Sequence, residues 1–238
     1  GYLVVCLPPP DSPSDPILAI LVDVGDADVA LAQTETIRDC HYSDDHPDSE
    51  FRIAAVLSTH KHHDHTAGNA ALLRSDHPML LHMDSVFGGA AERVPHCTRR
   101  VKNGELLLLP RAGKNDMNAV AEIEAVAVPS HTRGSLVYLL RGKDDADRYA
   151  SVWEGAGRPR VAHMFTGDAV FSGGGGVAFE ADLERRNENR TAGKSARSEV
   201  RPASGRNSVE RCFAEVLVRS MASLSGGYDR RGVPPVGA

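Results

Sequence analysis

Thr59-His60-Lys61-His62-His63-Asp64-His65 is the stretch of this sequence that decides the fold and the chemistry, and it holds four of the chain's eleven histidines. Histidine is a metal ligand and a proton carrier near neutral pH. Several histidines side by side repel one another when they are charged, and they leave polar nitrogens unsatisfied when they are buried. Because a bound cation removes both difficulties, the cluster predicts a metal site.

The spacing within the cluster assigns its members to two metal ions. The apolar segment 53–57 predicts a strand that delivers the cluster at its carboxyl end. Side chains at positions i and i+2 of an extended chain point the same way, so His60 and His62 can reach one metal together. If the chain then turns, Asp64 and His65 can face a second metal.

Two residues outside the cluster complete this prediction. His131 follows the predicted strand 123–128, and Asp168 follows the predicted strand 161–166. Two metals roughly 3.5–4 Å apart need a shared bridge, which a carboxylate such as that of Asp168 can supply. We expect His60, His62 and His131 on one metal, with Asp64 and His65 on the other and Asp168 between them. Alone, His131 or Asp168 would more often be a turn or capping residue; their order behind the cluster gives them weight.

The predicted ligands indicate the metal and the reaction. Nitrogen and carboxylate ligands without cysteine suit two divalent ions, zinc first and iron or manganese as alternatives. A metal lowers the pKa of bound water from about 15.7 towards about 7, so attack by metal-bound hydroxide becomes available at neutral pH. Asp64 or Asp168 could orient that hydroxide. This chemistry is hydrolysis without a nucleophile from the protein.

The remaining histidines are expected to be structural or exposed. His63 occupies the inner position of the cluster and should point away from the metals. The others outside the ligand set that we expect to be structural or exposed are His77, His82, His96 and His163.

Composition restricts the class of protein. The chain has 238 residues and a net charge of -5, which favours one domain and argues against nucleic acid as a partner. No run approaches the ~18 apolar residues of a membrane helix. The four cysteines lie far apart without a CxxC pair, which favours reduced thiols. We expect a monomer that acts on a small molecule in the cytoplasm, with the mitochondrion as the alternative compartment.

The pattern of apolar residues predicts a layered α/β arrangement rich in strands. The segment 101–105 predicts a hairpin turn. Segments 141–160 and 182–206 predict unstructured insertions. Both lie within one domain that is expected to extend over 1–238. Strands are expected over 2–7, 17–24, 53–57, 79–82, 106–109, 123–128, 135–140 and 161–166. Helices are expected over 27–38 and 67–74 and from Asn207 onwards.

Three segments carry a resemblance to a known family: 58–69, 130–135 and 165–171. The HxHxDH motif resembles the metallo-β-lactamase superfamily. The following Ala-Gly-Asn and the Phe-Thr-Gly-Asp segment are similar to glyoxalase II (hydroxyacylglutathione hydrolase) within it. The resemblance implies an αββα sandwich of two mixed β-sheets flanked by helices, with a binuclear metal site. It also implies hydrolysis of S-D-lactoylglutathione to D-lactate and glutathione.

The sequence departs from this family in three ways. The family has a further ligand histidine after the glycine-rich segment, whereas no histidine here follows His163, so the second metal lacks one ligand. The family's carboxyl-terminal helical domain, which helps bind glutathione, is not recognisable. The positions that usually offer glutathione a basic residue and an aromatic hydroxyl are Val177 and Phe179, so Phe179 is only a weak substrate contact. Because the chain also begins within a predicted strand, we expect a domain that is incomplete at both ends.

Two alternative functions remain open at this stage. A persulfide dioxygenase with one iron ion would use the same fold and motif. A non-catalytic binding module that kept the fold and lost a complete site would explain the missing histidine and the altered glutathione contacts. A nuclease of the same superfamily is less favoured because the net charge is acidic.

Overall fold

Two large β-sheets, a two-stranded ribbon and three α-helices make up the described part of the chain. The computed structural model describes residues 1–8, 13–44, 46–47, 49–80, 83–109, 121–142, 161–171, 174–177 and 180. The predicted α/β class with two sheets is confirmed. Among the described residues, none of the helices has both the length and the apolar character needed to cross a bilayer.

The first sheet is mixed, with its strands in the order β1-β2-β3-β4-β5. Strand β1 pairs antiparallel with β2, and the remaining neighbours pair parallel. Parallel strands end at the same edge of a sheet, so the loops after them meet there. The strands are β1 (Tyr2–Cys6), β2 (Ile17–Val22), β3 (Phe51–Leu57), β4 (Val86–Gly89) and β5 (Arg99–Val101).

The second sheet is antiparallel throughout its described strands, in the order β6-β7-β8-β9. These strands are β6 (Leu106–Leu109), β7 (Ala121–Ala127), β8 (Leu136–Gly142) and β9 (Val161–Phe165). The ribbon pairs β10 (Val170–Phe171) with β11 (Gly174–Gly175). The helices are α1 (Ala27–His41), α2 (His63–Thr66) and α3 (Asn69–Arg74).

The apolar core lies between the two sheets and continues beneath the helices. Alternate residues of β2 divide between the two sides, because side chains on a strand alternate. Ile20 and Val22 pack against the second sheet, where they meet Tyr138. Ala19 and Leu21 pack on the opposite face with residues of α1 and α3. Burial on both faces explains why β2 reads as an uninterrupted apolar run.

Two local predictions were wrong. Residues 79–82 were expected to form a strand, but Pro78–Leu80 is a 3-10 turn, and 81–82 lie outside the described residues. Met79 and Leu80 are consecutive and both buried in one cluster, which the alternation of a strand would not allow. The turn at 101–105 does not close a hairpin, because β5 and β6 belong to different sheets.

The predicted insertions and the predicted last helix lie mostly outside the described residues. Strand β8 runs to Gly142, so residues 141 and 142 belong to a strand. The rest of 141–160, all of 182–206 and the helix expected from Asn207 lie outside the described residues. The helix layer expected on the second sheet therefore stays a prediction, as does the domain extent of 1–238.

A buried tyrosine joins the two sheets and provides a test of the fold. The Tyr138 hydroxyl donates to the Ser58 carbonyl at 3.1 Å, and Tyr138 is fully buried. Tyr138→Phe should lower the free energy of unfolding by about 1–2 kcal/mol, because it leaves a buried carbonyl without this donor while it keeps the ring. Urea denaturation measures the change. The exposed Tyr2 gives the control Tyr2→Phe, which should be neutral; equal effects of the two substitutions would contradict this account.

Candidate metal centre

The histidine cluster begins where β3 leaves the core. Strand β3 ends at Leu57, and the extended loop that follows carries His60, which is completely buried. The second sheet holds this loop in place, because the Leu136 amide donates to the Thr59 carbonyl at 2.8 Å. Helix α2 then starts at His63 and carries Asp64 and His65.

The first group of predicted ligands comes together from both sheets. His60, His62 and His131 present ring nitrogens that all lie within 4.8 Å of one another. His62 Nδ1 lies 3.0 Å from His60 Nε2 and 2.8 Å from His131 Nε2. His131 is buried in the turn between β7 and β8, so a residue 69 positions away in sequence completes the group.

The hydrogen-bond partners of these rings show that the group suits a cation. Thr59 Oγ1 donates to Asp23 Oδ2 at 2.8 Å, so it can only accept from His60 Nδ1, 3.1 Å away. The Val177 carbonyl can likewise only accept from His131 Nδ1, at 2.8 Å. In the neutral rings, His60 Nε2 and His131 Nε2 then both aim lone pairs at His62 Nδ1. One hydrogen on His62 Nδ1 cannot serve both, whereas a metal ion would serve all three nitrogens.

Burial keeps His60 and His62 ready to bind a cation. Desolvation, and after it the neighbouring imidazoles of His65, His131 and His62, lower the pKa of His60 to about 3. Burial, followed by the proximity of His131, also lowers the pKa of His62. Neutral imidazole is the form that binds metals, so these rings would not need to lose a proton first at neutral pH.

A second group of possible ligands lies beside the first. Ring nitrogens of His60 and His65 and a carboxylate oxygen of Asp168 lie within 4.8 Å of one another. Asp168 Oδ1 is 3.2 Å from His65 Nε2, and Asp168 Oδ2 is 3.5 Å from His131 Nε2. One carboxylate thus touches both groups, as a bridging ligand must. Asp64 Oδ2 lies 3.5 Å from His65 Nε2 at the solvent side, with 79% of its side chain exposed.

Asp23 is the site residue that sequence reasoning missed. Its buried carboxylate accepts from the Thr59 amide and hydroxyl, both at 2.8 Å, and through the hydroxyl it orients His60. Asp23 Oδ2 also lies 3.1 Å from His65 Nδ1, an ion-pair contact that raises the pKa of His65. A carboxylate directly after a buried strand was the signal available in the sequence. The structure adds a positive φ of 56° at Asp23.

The other histidines lie outside both groups. His63, His96 and His163 are exposed, and His77 contacts Glu35 Oε1 at 3.1 Å. His82 and the weak substrate contact Phe179 fall outside the described residues. Val177 is described: its carbonyl holds His131, whereas its side chain is exposed.

A cavity opens beside the second group. Its volume is about 610 Å³, and Asp64, His65 and Asp168 form its polar wall. Tyr2 and Phe171, both more than half exposed, form part of its apolar wall. The arrangement places a possible metal position at the wall of a space large enough for a small organic molecule.

The fold and site together define an α/β protein with two β-sheets and a histidine-rich centre able to bind metal. No family model matches the chain. The hydroxyacylglutathione hydrolase of Halorhodospira halophila is 35% identical over 162 residues, which are 68% of this chain and 46% of that protein. The cytoplasmic hydroxyacylglutathione hydrolase of Arabidopsis thaliana is 34% identical over 134 residues, 56% of this chain and 42% of that protein.

The matched part of the chain is thus related in sequence to the hydroxyacylglutathione hydrolases, which confirms the resemblance to glyoxalase II. The chain spans less than half the length of these two relatives. A metallo-β-lactamase of Staphylococcus aureus matches in structure with a TM-score of 0.40 and 17% identity, over 74% of this chain and 43% of that one. A subclass B3 metallo-β-lactamase of Bradyrhizobium japonicum matches with a TM-score of 0.40 and 15% identity, over 89% and 87%.

The role of Asp23 can be tested without metal. Asp23→Ala should lower the free energy of unfolding by about 3 kcal/mol, because it leaves the buried Thr59 amide without its charged acceptor. Asp26 offers a matched control, since its exposed carboxylate accepts from the Val29 amide as a helix cap, and Asp26→Ala should cost about 1 kcal/mol. Urea denaturation in EDTA measures both, and an Asp23 cost no larger than that of Asp26 would count against this role.

Proposed function

We propose that this chain carries the metal centre of a metal-dependent thioester hydrolase that converts S-D-lactoylglutathione into D-lactate and glutathione. The observation that carries the proposal is the convergence of His60, His62 and His131 nitrogens next to the His65–Asp168 pair. The sequence relationship to hydroxyacylglutathione hydrolases supports the choice of substrate.

Two divalent cations fit this centre, and zinc suits its donors best. The first would be held by His60, His62 and His131, and the second by Asp64 and His65, with Asp168 reaching both. Imidazole and carboxylate donors also suit iron and manganese. When bound, such cations make a water ligand acidic and polarise a carbonyl group.

In this proposal, Asp168 and Asp64 handle the water. The Asp168 carboxylate lies between His65 and His131 and can fix the spacing of the two ligand groups. Asp64 Oδ2 lies on the cavity side of His65, where it can accept a hydrogen bond from water and aim the oxygen at a substrate carbonyl. Attack forms the carbon–oxygen bond, the carbon–sulfur bond breaks, and the thiolate of glutathione leaves and takes up a proton.

The buried surroundings of the first group serve the same reaction. His60 is buried and held by the Thr59 hydroxyl, and His131 is buried and held by the Val177 carbonyl, so both rings have fixed orientations. Fixed ligands keep their geometry through the reaction, which favours catalysis by preorganisation. The cavity beside Asp168 offers Phe171 and Tyr2 to the apolar parts of a bound thioester.

Metal content and hydrolysis of S-D-lactoylglutathione test this proposal together. The intact protein, loaded with zinc, should bind close to two metals per chain and release glutathione thiol, which a thiol reagent detects. His60→Ala should lose metal and reduce kcat/KM. The reduction should exceed the roughly 10–100-fold loss that follows when a residue bonded to a metal ligand, rather than the ligand itself, is substituted. His163 is exposed and belongs to neither group, so His163→Ala should keep metal and activity.

Several outcomes would contradict the proposal. Unchanged metal content in His60→Ala would reject the assigned ligands. One iron per chain, with oxygen consumed in the presence of glutathione persulfide, would instead indicate a persulfide dioxygenase. A protein extended to the length of its relatives that binds at most one metal and leaves the thioester intact would indicate a binding module.

A further inference from the structure

Glu92 is a buried carboxylate in the turn after β4, and only 1% of its side chain is exposed. It lies outside both ligand groups. Its Oε2 accepts from the Thr132 hydroxyl at 2.6 Å and from the Gly134 amide at 2.9 Å. Both donors belong to the turn that begins with the ligand His131. Glu92 therefore holds the segment from which His131 projects.

The contact between Glu92 and this turn is unusually close. A β-carbon added to Gly134 would lie 2.6 Å from both the backbone nitrogen and Cβ of Glu92. Real β-carbons do not approach other atoms this closely, so a side chain at position 134 would push the turn away. The glycine lets the Glu92 carboxylate reach the backbone directly.

The other oxygen of Glu92 faces the first part of the ligand cluster. Glu92 Oε1 lies 3.2 Å from Lys61 Nζ, and Lys61 stands between the ligands His60 and His62. Lys61 also forms an ion pair with Glu180, whose second oxygen accepts from the Arg133 amide at 2.7 Å. Two carboxylates on either side of one ammonium group thus connect the His60–His62 loop to the His131 turn.

Such a connection answers a geometric need of the site. His60 and His62 follow a strand of the first sheet, whereas His131 lies between two strands of the second sheet, so no single element fixes their separation. Burying a carboxylate is costly unless it is paired. Glu92 finds its partners in these two segments: Lys61 in the first, and Thr132 and Gly134 in the second. Metal ligands must be held to within about 0.5 Å for a site to bind well.

We propose that Glu92 is a positioning residue, which sets the distance between His131 and the His60–His62 pair through Lys61 and the 132–134 turn. The inference rests on the proposed function, because it concerns the same metal centre. Glu92 would touch neither metal nor substrate. Its removal should therefore weaken metal binding by a protein that is still folded.

Zinc affinity of the folded chain tests this inference. Glu92→Gln keeps the size of the side chain but places an amide group where one carboxylate oxygen stood, so the turn or Lys61 loses its partner. The zinc dissociation constant, measured by competition with a chromophoric chelator, should rise about tenfold. Lys61→Met, at a partly exposed position, is the milder variant if Glu92→Gln does not fold, and the double variant should show non-additive effects.

The matched control is Glu105→Gln. Glu105 also accepts from a backbone amide in a turn, that of Lys102 at 2.8 Å, but it lies outside the ligand groups. Circular dichroism without denaturant identifies the folded variants, so a loss of global stability alone would leave their zinc affinity unchanged. Folded Glu92→Gln and Lys61→Met proteins that bind zinc as tightly as Glu105→Gln would overturn the inference and leave the proposed function standing. An unsubstituted protein that binds no zinc would overturn both.

Discussion

Three imidazole rings whose nitrogens converge on one point are the constraint on which the rest of this structure depends. Such an arrangement is unfavourable by itself, because two acceptors face a ring nitrogen that can carry at most one hydrogen. It persists because the other nitrogens of His60 and His131 are held by Thr59 and Val177. The protein scaffold therefore fixes the donors in the positions that a cation would need.

The two-sheet architecture is what allows this convergence. The loop after β3 emerges at one edge of the first sheet, and the turn between β7 and β8 brings His131 to the same place from the second sheet. The core between the sheets fixes their relative position through residues such as Ile20 and Tyr138. Polar contacts then adjust the details: Asp23 acts on the first loop, and Glu92 connects that loop to the His131 turn.

The sequence was informative where chemistry is local. The run His60–His65 reveals its metal chemistry within a few residues, and His131 and Asp168 could be added because each follows an apolar strand segment. The structure brings His60, His62, His65, His131 and Asp168 together, whereas Asp64 lies outside both groups at the solvent side, and the roles of all six as ligands are still a proposal. The α/β class and the strands β2, β3 and β7 were predictable for the same reason, since β2 and β3 contain nearly continuous apolar runs and β7 alternates apolar and polar residues.

What escaped prediction depends on distant contacts. Asp23 was seen only as the end of a strand, because its partners are Thr59 and His65, far along the chain. Nothing near Glu92 in sequence points to Lys61 or to the 132–134 turn. The hairpin expected around Gly104 was wrong because local turn chemistry cannot reveal that β5 and β6 join different sheets. The strand expected at 79–82 failed because tertiary packing placed two neighbouring side chains on the same side.

The hydrogen bond from the Leu136 amide to the Thr59 carbonyl connects the metal centre to the stability of the fold. With the bond from Tyr138 to Ser58, it attaches the loop that carries His60 to the second sheet. A cation held by His60, His62 and His131 would therefore cross-link the two halves of the sandwich, much as a disulfide joins distant segments of a secreted domain. Binding to the folded state alone stabilises that state by mass action. The free energy of unfolding would then depend on the concentration of the free ion. Loss of the ion would destabilise the packing of the two sheets as well as stop the chemistry.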